Sequence, residues 1–316
     1  PAARALGDAW LIAESELAVG RAHFRQNEFE EGVARLAAAA SWARANGAEE
    51  TLIIALLVLA PMLVYVERLD EAAAAFEEVV RVCREAGDDF HLATAYLNRI
   101  TLWVELAQTS HDGGDGGDGG DGGDGIGPIV DDMERCIALG NALGNPQFEL
   151  CATLNLAEFL YWSGSFERAL ALAERGRALQ VELFSSFGNA ALLLARIACA
   201  LGDPGARRHV AWIAQSSSIE HMAPAERDLF HMVSLASDAL EGAPISGKAW
   251  RALARSVEAH APLYEHVEVL IMASEIFRRR GRIGEARGWL ERAARAAGQS
   301  SLWNRRLGLL RDQLSR

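Results

Sequence analysis

Lysine is almost missing from this 316-residue chain: Lys248 stands alone among 31 basic residues. Paired cysteines are missing too. Cys83, Cys136, Cys151 and Cys199 lie far apart in apolar runs with no CxxC pair. That spacing argues against a disulfide framework or a zinc ribbon and fits free thiols in a reducing cytoplasm. No glycine-rich phosphate loop, GxSxG or HExxH motif occurs, so neither enzyme activity nor a cofactor is expected. Glu265-His266 lacks a second histidine four residues from the first. His221, His231, His260 and His266 scatter over several elements, which suits surface or satisfied core histidines better than metal ligands.

Long hydrophobic runs are equally scarce. The longest, TLIIALLVLAPMLVYV at 51–66, contains Pro61 and is too short for a bilayer span. The opening Pro1-Ala2-Ala3-Arg4 has no apolar signal region and no methionine, so the chain reads as a cytoplasmic fragment of a longer protein. The net charge of −12 disfavours a nucleic-acid binder, because counterion release requires a basic surface. The charge is uneven, however. From Glu275 to Arg316 eleven arginines face four acids, a net of +7 that leaves −19 for the rest.

What is present is a repeat. Four stretches share one pattern: NEFEEGVARLAAAA (27–40), ERLDEAAAAFEEVV (67–80), GSFERALALAERGRAL (164–179) and GRIGEARGWLERAARAAG (281–298). Each has a turn residue, an apolar residue two later and a small or compact residue three after that. A helix with apolar positions every three or four residues follows, and another helix precedes each stretch. The small position is Gly32, Ala72, Ala169 and Ala286, and four residues later stand Leu36, Phe76, Ala173 and Leu290. Small residues let helices approach, and larger ones fill the space between repeats.

These residues and their spacing resemble the tetratricopeptide repeat family, of which Val19-Gly20 nearly keeps the Leu-Gly pair. The closing proline is missing and the period is nearer forty residues than thirty-four, so the array is a divergent one. The resemblance implies an all-α fold, a right-handed superhelical solenoid of about seven antiparallel helix pairs in a single domain. The pairs are 5–25/28–46, 50–66/70–86, 90–107/128–143, 148–162/165–182, 187–201/204–216, 223–241/246–259 and 264–280/283–298, with 301–315 as a capping helix. Pro61 lies inside a predicted helix and implies a kink or a fresh helix start there.

DGGDGGDGGDGGDGIG (112–127) interrupts the third pair. Aligning ATAYLNRITLW with CATLNLAEFLY puts it at the turn, with Ile129 in the small slot, Met133 in the large slot and Cys136 behind. Its aspartates match neither EF-hand spacing nor nine-residue calcium repeats, so a disordered loop over about 108–127 is expected.

The resemblance also implies a concave groove, lined by the first helix of each pair, that holds a peptide or protein segment. Carried over by position, its residues are Arg21, Phe24 and Arg25, then Asn98, then Asn155, Glu158, Tyr161 and Trp162. Asn98 and Asn155 share one slot, where stacked amides would clamp a peptide backbone. The apolar run 52–66 is a second candidate, as a face for a neighbouring domain. Eight tryptophans, almost one per repeat, read as core filling. Arrays of this kind look similar to those that follow NTPase or Ser/Thr kinase domains in bacterial signalling proteins. The expected role is therefore a regulatory interaction module whose ligand is a protein, or another domain of the same polypeptide. The alternative is an assembly scaffold that docks an acidic partner or a second copy through Arg278, Arg279, Arg280 and Arg282.

Overall fold

A computed structural model describes residues 7–109, 127–184, 188–216, 222–298 and 300–315. Among these it has fifteen α-helices and no strand. They are α1 (Ala9–Gln26), α2 (Phe29–Asn46), α3 (Glu49–Tyr65), α4 (Leu69–Ala86), α5 (Asp89–Thr109), α6 (Gly127–Ala142), α7 (Pro146–Trp162) and α8 (Phe166–Phe184). Then come α9 (Gly188–Leu201), α10 (Ala206–Ser216), α11 (Pro224–Leu240), α12 (Gly247–His260), α13 (Leu263–Arg279), α14 (Ile283–Ala297) and α15 (Ser301–Ser315). The expected pairs and cap therefore coincide with observed helices, and the chain is an all-α helical repeat array. The expectation for the Asp/Gly tract falls on residues outside those described.

Local chemistry sets the helix ends. Asp8 accepts from the amides of Trp10 and Leu11 at the start of α1, and the Ser246 hydroxyl accepts from Ala249 at the start of α12. Gly47 and Gly87 close α2 and α4 at φ 65 and 67, a conformation that costs glycine nothing.

The chain divides into two compact units, Pro1–Leu106 with Pro128–Ala152, and Ala107–Gly127 with Thr153–Arg316. In the first, α1 to α4 pack in chain order and α1 also touches α3. Its centre is α3, of whose residues 51–64 only Ile54 and Val58 are even half-buried and the rest are buried. Run 52–66 is therefore largely a buried inner helix packed by α2 and α4, with Tyr65 exposed near its end, and offers little apolar face to a neighbouring domain. Nor does Pro61 divide the helix, which runs through it from Glu49 to Tyr65. Gly32, Ala72, Leu36 and Phe76 are all buried in the expected slots, as are Ile129, Met133 and Cys136. Each fully buried large apolar side chain contributes roughly 1.5–3 kcal/mol. Gly20 explains the partial Leu-Gly pair, since a Cβ there would lie 2.5 Å from Cγ of the fully buried Leu36.

In the second unit successive helices pack from α8 to α15, and a second layer of contacts links α9 to α11 and α11 to α13. Helix α9 also touches α13, which in turn reaches α15. Helix α13 is the core of this unit, buried at every position from Val267 to Phe277. Two of those positions are carboxylates, Glu268 and Glu275.

Candidate interaction site

The residues expected to line the groove fall into two sets. In the first unit Arg21 and Arg25 are exposed on α1, with Phe24 half-buried beside them. The Phe24 ring lies 6.1 Å from Phe29, which stacks on Tyr65 at 4.6 Å and 15°. Asn98 has a different task. Pro61 has no N–H, so the carbonyl four residues earlier, Leu57, has no helical donor. Asn98 Nδ2 donates to that carbonyl at 3.3 Å. One N–H of the amide thus repairs a gap in the core helix. Asn98→Ala is expected to cost about 1–2 kcal/mol in urea denaturation, and much less in a Pro61→Ala background where the helix supplies its own donor. Equal costs in the two backgrounds would rule this role out.

Asn155 is half-buried in the second unit. Tyr161 and Trp162, 0% and 4% exposed, do not reach a surface. Tyr161 Oη donates to Glu268 Oε1 at 2.8 Å and Trp162 Nε1 to Oε2 at 3.0 Å. Arg196 from α9 grips the same carboxylate, through Nε at 2.8 Å to Oε1 and through Nη2 to Oε2. Its Nη1 donates to Glu158, whose side chain is one-third exposed. Arg306 of α15 lies over the Tyr161 ring at 4.6 Å and pairs with Glu275 at 3.2 Å. Burial alone would push the Glu268 carboxyl up, but Arg196 and, more weakly, Arg306 hold it below its usual range. These residues form a buried polar knot joining α7, α9, α13 and α15. The first unit has a smaller counterpart, where buried Asp132 accepts from Arg99 at 2.7 and 2.6 Å and from Trp103 Nε1 at 2.7 Å.

Beside the knot, half-buried Glu265 has its carboxyl pushed up to about 7, first by burial and then by the charge of Glu268. A folded value above the ordinary 4.5 means that this group's contribution to stability is lost as pH rises through 7. His266, pulled down by burial, gives a slope of opposite sign. The difference between the native chain and Glu265→Gln isolates the first term. The substitution is expected to raise stability above pH 7 by about 1 kcal/mol, after discounting for solvent screening, and to leave pH 4.5 unchanged. Parallel denaturation profiles from pH 4.5 to 8.5 would show that Glu265 stays ionised.

The expected basic surface is largely consumed within the fold. Arg279 donates to the carbonyls of Cys199, at 2.7 Å, and Ala200. Arg280 donates to Ala239 at 2.8 Å and Gly242 at 3.1 Å. Arg282 donates to Ile245 at 2.9 Å and pairs with Glu285. Arg279 and Arg280 therefore sit on the negative ends of α9 and α11 and add donors to carbonyls of their last turns. Arg278 is half-buried.

A feature that sequence reasoning missed is a groove of about 640 Å³ between α11 and α12. Helix α11 supplies a polar row, Arg227, Asp228, His231 and Ser234, and α12 supplies Ala249, Ala252 and Ser256 at helical spacing. The Ser256 hydroxyl donates to Asp228 at 3.3 Å, and Arg227 Nη2 donates to the Met222 carbonyl at 3.1 Å. His231 is exposed at the rim. Small residues on one wall and alternating donors and acceptors on the other leave room for a segment that brings its own backbone. The readable signal was Ala249 and Ala252, three apart on a helix that buries Trp250, Ala254 and Val257.

Trp10 is 54% exposed, so core filling does not describe all the tryptophans, although Trp162, Trp250, Trp289 and Trp303 are buried. Cys83, Cys136 and Cys199 are buried free thiols pushed up to about 12 by burial, which leaves them unreactive. Among the described residues no group of three or more histidines, cysteines or carboxylates is placed to hold a metal ion. No helix among them is long and apolar enough to cross a membrane.

No curated protein matches the chain. Over residues 16–106, from α1 into α5 and less than a third of its length, the chain is similar to the family described as anaphase-promoting complex subunit 5.

Proposed function

We propose that this chain is a non-catalytic protein-interaction module that holds a peptide or a segment of a protein in the α11–α12 groove. The groove carries the reading: it sets Ala249, Ala252, Leu253 and Ser256 of α12 against a polar row from Arg227 to Ser234 on α11. The helical repeat architecture supports it, as does the likeness of residues 16–106 to a family named for a subunit of a multiprotein complex. The ligand belongs to a partner or to another domain of the same polypeptide, in which case the module regulates that domain. Arg21, Phe24 and Arg25 on α1 offer a further exposed contact in the first unit. The scaffold alternative, built on Arg278, Arg279, Arg280 and Arg282, is less well supported, because three of those side chains already bond within the fold.

The test is site-specific photo-crosslinking in cells from a benzophenone side chain at Ser234 in the groove. A control carries the same group on exposed Arg255 of α12. A discrete adduct from Ser234 that disappears when Ala252→Trp fills the groove supports the reading. Adducts equal at both positions, or unaffected by Ala252→Trp, would remove the groove from the proposal.

A further inference from the structure

We infer that the groove between α14 and α15 binds an acidic segment of a partner protein bearing one apolar anchor. This deepens the interaction reading by naming a partner class, and it uses a surface separate from the α11–α12 groove. The starting point is the set of eleven arginines between residues 275 and 316. Arg279, Arg280 and Arg282 bond to carbonyls of the fold, Arg306 is buried on Glu275, and Arg292 lies over the Trp289 ring at 4.5 Å. Arg278 is half-buried and Arg305 donates to Ser165 Oγ at 2.9 Å. Of the others, Arg287, Arg295 and Arg311 are exposed, and all three line one groove of about 510 Å³.

Its floor is apolar, formed by Leu290 and Leu314 at 7% and 5% exposure. Glu291 is the one carboxylate in the lining, so the walls carry a net charge of +2. Arg287 Nη2 donates to the Leu314 carbonyl at 2.9 Å, which fixes the walls against each other at one end. Among the described residues neither Arg295 nor Arg311 has an ion-pair partner, unlike Arg282 or Arg306. Arg287 and Arg295 stand eight residues apart on α14, about 12 Å at helical rise. That length holds roughly two turns of helix, or about four extended residues.

Charge complementarity therefore selects a segment with two or more aspartates or glutamates around a single leucine-like or aromatic side chain. A phosphate backbone fits less well. Nucleic acid requires a long basic stripe, whereas this patch is short, has an apolar floor and belongs to a chain of net charge −12.

The test is selection of a random-peptide display library on the full chain, on Arg295→Glu/Arg311→Glu, and on Ala252→Trp, with circular dichroism showing that all three are folded. The expected result is enrichment of acidic peptides with one apolar anchor on the native chain. Binding of the enriched peptides should weaken at least about tenfold on charge reversal and persist on Ala252→Trp. Peptides that bind the charge-reversed chain equally but are lost on Ala252→Trp would overturn this inference and leave the α11–α12 reading standing. No acidic enrichment, or a labelled oligouridine probe that binds natively and is lost on charge reversal, would also overturn it. So would a dimer in sedimentation velocity that the same charge reversal dissociates, since the occupant would then be a second copy.

Discussion

Replacing Glu268 with alanine is expected to destabilise the second unit by about 3–5 kcal/mol. The carboxylate is fully buried and accepts from Tyr161, Trp162 and twice from Arg196. Its removal leaves a guanidinium that is 4% exposed with only Glu158 as counter-charge, and leaves two buried donors without acceptors. The loss should appear in denaturant unfolding followed by tryptophan fluorescence, since Trp162 and Trp303 lie against the knot. The double variant Arg196→Met/Glu268→Leu separates lost attraction from stranded charge. Removing both ions avoids the uncompensated burial, so it should cost less than the single change. A single-variant cost under about 1 kcal/mol would show that the knot contributes little. Acid should act in the same direction: the Glu268 carboxyl is held below its ordinary 4.5, so its contribution is full above that value and lost as pH falls through the folded one.

The knot also marks where reading the sequence stops. Helix pairs were legible because their spacing is local: Gly32, Ala72, Ala169 and Ala286 recur at a fixed place after a turn, and all four are buried. Register survived even across the Asp/Gly tract, where Ile129, Met133 and Cys136 are fully buried. Tyr161 and Trp162 were assigned to an open face because the family places that face in a groove. What covers them is Glu268 and Arg306, more than a hundred positions onward, and no pattern within α7 encodes that. Part of the signal was available in α13, HVEVLIMASEIF, where two carboxylates seven apart interrupt an otherwise apolar run. A helix that apolar must be buried, and carboxylates buried with it require cationic partners. Asn98 shows the same limit at shorter range, since its partner carbonyl exists only because of Pro61. Charge was legible as a total but not as a use. The arginine run read as a surface, while main-chain carbonyls that only the fold brings near take up Arg279, Arg280, Arg282 and Arg287.

Arg279→Ala is expected to cost about 2–4 kcal/mol, whereas Arg295→Ala, in the same arginine-rich stretch, should stay within about 0.5 kcal/mol. Arg279 reaches from the end of α13 to the carbonyls of Cys199 and Ala200 in the last turn of α9, a region where a cation is favoured; Cys199 also accepts from the Gly202 amide at 3.0 Å. One planar group serves both carbonyls, so Arg279→Lys should recover less than half of the loss. Gly202 gives an independent check. It sits at φ 75 directly after α9, and a Cβ there would meet Arg279 Cζ at 2.9 Å. Gly202→Ala should therefore be destabilising both through its backbone and by displacing the guanidinium. In an Arg279→Ala background only the backbone part should remain. If the two substitutions add without coupling, Arg279 does not cap α9. If they couple while Arg295→Ala leaves stability unchanged, the basic end of the chain divides into arginines that hold helix ends and arginines available to a partner.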